Sequence, residues 1–159
     1  MIIKTLRTEW FQDYKKPSMF IAFPRCSFKC EKECKEKVCQ NSSLANSGDI
    51  DCDIDSMIEK YKSDPITKAI VCGGLDPMDS FNELYEFIYT LRHNHSISDT
   101  VVIYTGYCKE EIIDKVEKLK GMENIIVKFG RYIPRQNKKY DDLLGVWLAS
   151  DNQYAEKIS

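Results

Sequence analysis

Short apolar runs alternate along this chain with stretches in which apolar residues recur every three or four positions. The runs are residues 19–23 (MFIAF), 69–72 (AIVC), 101–104 (VVIY) and 125–129 (IIVKF). They lack the in-and-out alternation of half-exposed strands, which predicts strands of a parallel sheet covered on both faces. Residues 146–148 predict a short fifth strand, and residues 2–6 an N-terminal one. Between the runs, three sets of residues each share one helical face: Ile54, Met57, Ile58 and Tyr61; Phe81, Leu84, Phe87, Ile88 and Leu91; Ile112, Ile113, Val116 and Leu119. Ser80 and Glu83 have the spacing of a capping box, which places the start of the second helix near Asp79 or Ser80. Gly121 is placed to stop the third helix. This alternation predicts right-handed βαβ units and an α/β fold, in one domain over residues 1–159. Functional groups in such folds gather at the C-terminal ends of the parallel strands. Here those ends carry a cysteine-rich loop, Gly73-Gly74 and Thr105-Gly106, so three unusual loops share one rim.

Composition narrows the classes of function. A net charge of −2 over 159 residues removes any bulk electrostatic reason to bind nucleic acid. Residues 1–7 are too short and too interrupted to form a secretory signal. No apolar run approaches the roughly 20 residues of a membrane helix. The expectation is a cytoplasmic protein without membrane contact. In a reducing compartment, seven cysteines point to metal or redox chemistry rather than to a disulfide framework. Cys52, Cys72 and Cys108 stand apart and read as small core hydrophobes. Arg131, Arg135, Lys138 and Lys139 read as a solvated basic loop.

The other four cysteines, Cys26, Cys30, Cys34 and Cys39, crowd the loop after the first buried run. Thiolate is the soft ligand favoured by iron–sulfur clusters and by zinc. Four thiolates also suffice to close a structural zinc site or a ferredoxin-type cluster. The cysteines alone do not separate these from a site with an open coordination position. Their setting does. Cys26-Ser27-Phe28-Lys29-Cys30, directly after a strand, resembles the start of the CxxxCxxC signature of the radical S-adenosylmethionine (SAM) superfamily. The third cysteine departs from that spacing, since both Cys34 and Cys39 lie beyond it. Cys39-Gln40-Asn41 matches the Cys-x-Asn that closes the motif in the activating proteins of anaerobic ribonucleotide reductase. Gly73-Gly74-Leu75-Asp76-Pro77 resembles the Gly-Gly-Asp-Pro element of the superfamily, with Leu75 as one extra residue. Tyr104-Thr105-Gly106-Tyr107 resembles the strand-and-turn segment of the same activators. Ala149-Ser150-Asp151-Asn152-Gln153 resembles an element late in that family.

The resemblance implies a partial (β/α) barrel, with a mostly parallel sheet and helices on the outside. It implies a [4Fe–4S] cluster on Cys26, Cys30 and Cys39 whose fourth iron stays open to SAM. Gly73, Gly74 and Asp76 would orient the methionine end of SAM, with Thr105 and Asn152 as further cofactor contacts. Residues 31–38 become a charged insertion within the cysteine loop. The implied activity is reductive cleavage of SAM to place a glycyl radical on the anaerobic ribonucleotide reductase. A flavodoxin or ferredoxin would donate the electron.

Overall fold

The four apolar runs form the centre of a six-stranded sheet in the computed structural model, which describes residues 1–159. The strands are β1 (Ile2–Ile3), β2 (Thr5–Trp10), β3 (Ser18–Phe23), β4 (Ile50–Asp51), β5 (Ala69–Gly74), β6 (Val101–Tyr104), β7 (Ile125–Phe129), β8 (Lys139–Asp141), β9 (Val146–Leu148) and β10 (Tyr154–Lys157). The helices are α1 (Lys29–Cys34), α2 (Ser42–Ala45), α3 (Ile54–Ser63), α4 (Phe81–Tyr89) and α5 (Ile113–Leu119). The sheet order is β10-β7-β6-β5-β3-β2. Strands β3, β5, β6 and β7 run parallel, while β2 and β10 pair antiparallel at the two edges. The fold is therefore mixed α/β with a mostly parallel central sheet. No helix is long and apolar enough to cross a membrane.

The period of two along each strand separates the sheet's faces. Met19, Ile21, Phe23, Ile70, Cys72, Val101, Ile103, Ile125, Val127 and Phe129 point to one side. There they pack on Met57, Ile58 and Tyr61 of α3, Leu84, Phe87 and Ile88 of α4, and Val116 and Leu119 of α5. Burying these helical stripes on this face forms the main core, except that Ile113 of the third stripe turns outward and is 42% exposed, because the chain is a 3-10 turn up to Ile112 and α5 begins only at Ile113. The opposite face is covered only in part. Ala69, Val71, Val102 and Ile126, toward the start of the strands, meet Tyr14, Leu144 and Leu148. Further along, Phe20, Gly73, Tyr104 and Lys128 face a cavity instead.

Several sequence expectations are corrected. Residues 2–6 do not form one strand. The chain changes partners at Lys4: Ile2 and Ile3 pair with β4 while Thr5 onward pairs with β3, and the Lys4 ammonium reaches the Asp49 carboxylate at 2.8 Å and the Ser47 carbonyl at 2.6 Å. β2 becomes a sheet edge. β9 does not join the main sheet, since it pairs with β8 in a separate antiparallel hairpin. The capping box at Ser80 does not form. A 3-10 turn over Pro77–Ser80 precedes α4, and the buried Ser80 hydroxyl has no partner. The side chain that caps this entry is Asp76, which accepts from Met78 N. Cys108 is exposed, not a core residue, whereas Cys72 is buried and Cys52 packs half-buried against the main core.

Candidate metal and cofactor site

The C-terminal ends of the four parallel strands are tied into one rim by backbone hydrogen bonds. Leu75 N donates to Phe23 O, Asp76 N to Arg25 O, Thr105 N to Lys128 O, and Gly130 N to Tyr107 O. Asp76 sits at the centre of this rim and is only 6% exposed. Its carboxylate accepts from Thr105 Oγ1 at 2.9 Å, Gly106 N at 2.9 Å and Met78 N at 3.0 Å. Burial raises its pKa, and these donors oppose the rise. The resemblance implies a role on SAM for Asp76 and Thr105. In the fold they bind each other and lock the loops after β5 and β6. A second carboxylate performs the same task one step outward. Asp79 accepts from Ser27 N at 2.6 Å and from Tyr107 Oη at 2.6 Å, which leaves the Ser27 hydroxyl to donate to Tyr107 at 3.1 Å.

Two cavities open at this rim. The larger, of about 600 Å³, lies over the uncovered part of the sheet and includes Gly73, Gly74, Tyr104, Thr105, Gln40 and Asn41 in its wall. That volume falls in the range of small-molecule sites. Gly74 must be glycine. Its φ is +81°, and a Cβ there would stand 2.7 Å from the Ala22 Cβ. Its carbonyl accepts from Asn41 Nδ2 at 2.6 Å, which fastens the end of the cysteine loop to the glycine pair. Asn152 lies outside both cavities and donates to the Arg131 carbonyl at 2.9 Å. Gln153 touches the larger cavity, but its amide is spent on Ala149 N, Ser150 N and Gly130 O.

The smaller cavity, of about 90 Å³, adjoins the first. Cys26 and Cys30 line it together with Asp76, Gly106, Gly130 and Lys128. The two cysteines reach it because Phe28 takes a left-handed conformation, φ 52°, and starts α1 at once. Arg131 also lines it and is far from the solvated residue expected. Its side chain is 10% exposed and pairs with Glu111 and Glu33. This pairing draws Glu111 down to about 2.

A family model described as a 4Fe-4S single cluster domain matches residues 18–155. The chain belongs to this family. Neither curated proteins nor solved structures yielded a match.

The donor set of this 4Fe-4S domain fits its cluster in chemistry. Cys26, Cys30, Cys34 and Cys39 are all free and none is fully buried. No three metal-binding side chains converge on one point. Assembly therefore has to draw the thiols together, as is usual where metal binding orders its own ligands. Burial pushes the Cys26 thiol up to about 12, and the charges of Asp76, Asp79 and Cys30 add to the rise, while the Phe28 N–H opposes it. Burial also raises Cys30, with Cys39 and, less strongly, Cys34 among the charges acting in the same direction. A bound metal reverses this balance, because it deprotonates a coordinating thiol.

The two candidates for a third ligand differ in setting. Cys34 ends α1, with its thiol near the carbonyls of Glu31 at 3.8 Å and Glu36 at 3.5 Å. Cys39 is held through its N–H by the Glu31 carboxylate at 3.0 Å and runs directly into Gln40 and Asn41 of the cavity wall. The residue sequence reasoning missed is Lys128. A lone charge within the apolar run IIVKF was the available signal.

Proposed function

We propose that this 4Fe-4S domain is a radical SAM activase that generates a glycyl radical on an anaerobic ribonucleotide reductase. The observation that carries the reading is the adjacency of the two cavities. The smaller presents Cys26 and Cys30, the larger lies beside Gly73 and Gly74, and both open at the C-terminal ends of the same strands. The family match and the motifs quoted above support it. Cys26, Cys30 and Cys39 would hold the cluster, which would supply the one electron for reductive cleavage of SAM and so the means to take hydrogen from a glycine Cα. The chain's own work is placement. Gly73 and Gly74 keep the cavity floor free of side chains, so a ligand can approach the backbone of β5. Asp76 and Asp79 hold the loops after β3, β5 and β6 in register beneath the thiols. The electron donor in this reading is a flavodoxin or ferredoxin.

The test is anaerobic reconstitution with iron and sulfide, followed by reduction with dithionite in the presence of SAM. The expected products are 5′-deoxyadenosine and methionine, and addition of an anaerobic ribonucleotide reductase should give a glycyl radical signal in electron paramagnetic resonance. Cleavage of SAM without that signal would point to another substrate. One equivalent of zinc without iron, and no cleavage, would overturn the reading in favour of a closed structural site.

A further inference from the structure

Four cationic side chains line the two cavities: Arg7, Lys29, Lys128 and Arg131. Lys29 and Arg131 are paired with Glu111. Arg7 is exposed to solvent and lies over the Trp10 ring at 5.6 Å. Lys128 is unlike the other three. It is buried, it belongs to the walls of both cavities, and no carboxylate pairs with it. Its Nζ donates to the Gly130 carbonyl at 2.9 Å and lies 5.9 Å from the centre of the Tyr104 ring. Asp76 is the charge that favours its ammonium form, but those carboxylate oxygens are already engaged by Thr105, Gly106 and Met78. The Gly130 carbonyl does not need the lysine either, since Gln153 Nε2 also donates to it at 3.2 Å. A buried ammonium with a single neutral acceptor is unfavourable, and leaves donors without partners at the boundary between the cavities. A local structural role does not account for it.

We infer that Lys128 is the anion-binding group of this site and holds the carboxylate of an amino-acid-type cosubstrate where the two cavities meet, an inference that rests on the functional reading above. Among ligands of the larger cavity's size, SAM carries such a carboxylate, and its decarboxylated analogue keeps the adenosine, the sulfonium and the amine. Equilibrium dialysis against cluster-loaded protein, with no reductant so that nothing turns over, compares the two. The native protein should bind SAM roughly 10–100-fold more tightly, the range expected for a charged hydrogen bond. Lys128→Met should narrow that gap by roughly tenfold or more, through weaker binding of SAM and not of the analogue. Thermal melting of the variant checks that it is folded. Equal affinity of the native protein for both ligands would overturn the assignment and leave the functional reading standing. A gap that survives unchanged in Lys128→Met would overturn it too, and place the carboxylate on another group. Binding of neither ligand would overturn the assignment and the functional reading together.

Discussion

Replacing Lys128 by methionine should make the cluster-free protein more stable at pH 7. Burial lowers the Lys128 pKa from 10.5 to about 8. The charged form is therefore penalised by about 3 kcal/mol in the folded chain at pH 7. Methionine has a similar length, fills the same volume and carries no charge. The substitution also loses the bond to the Gly130 carbonyl, worth about 1 kcal/mol, although Gln153 keeps that carbonyl paired. A net gain of about 2 kcal/mol is expected. The direction with pH follows from proton counts. Between pH 8 and 10.5 the unfolded chain holds more protons at this residue than the folded one, so stability of the native protein rises with pH there. The penalty is thus fully present below pH 8 and falls to less than half by about pH 9.5. Urea denaturation of both proteins under anaerobic conditions at pH 7 and pH 9.5 measures this. The advantage of the variant should fall by more than half between the two. A variant less stable than the native protein at pH 7, or an advantage independent of pH, would refute the reasoning. Paired with weaker SAM binding, the gain would mark Lys128 as a residue kept for function at a cost in stability.

Three other outcomes follow from the same geometry. Gly74→Ala should destabilise the fold by about 3 kcal/mol in urea, from its positive φ and the overlap with Ala22, and a loss below about 1 kcal/mol would contradict the backbone described. Asp76→Ala strands the Met78 N–H, the Gly106 N–H and the Thr105 hydroxyl, and should cost about 3 kcal/mol; near-native stability would show that the rim is not held by this carboxylate. Cys39→Ala should abolish the cluster, while Cys34→Ala should retain it, as read from iron and sulfide content and the spectrum of the reduced protein. The reverse result would make Cys34 the third ligand.

The central sheet was legible because its signal is local. Residues 101–104 and 125–129 are β6 and β7 as expected, and three amphipathic stretches became α3, α4 and α5. β2 and β10 were harder to see, because an edge strand is half exposed and a short segment such as Tyr154–Lys157 mixes charge with apolar residues and carries no alternation. The Ser80 capping box failed for a similar reason. The spacing matched, but Asp76 was already placed to cap the turn before it. At the site, the cysteine loop and the glycine pair were visible from residue type and spacing. The spacing alone could not tell that Asn41 fastens that loop to Gly74. Nor could it tell that Asn152 lies outside both cavities.

Sequence by itself determined which segments are buried, that the parallel strands share one rim, and that thiols cluster on the loop leaving the first of them. These follow from apolar period and residue chemistry, which the chain carries locally. Tertiary structure alone decided the fate of the charges. Only packing made Asp76 a buried tie between loops, paired Arg131 with Glu111, and enclosed Lys128 without a carboxylate. The reason is that the energy of a charge depends on its distance to partners and to water, and both are set by segments far apart along the chain.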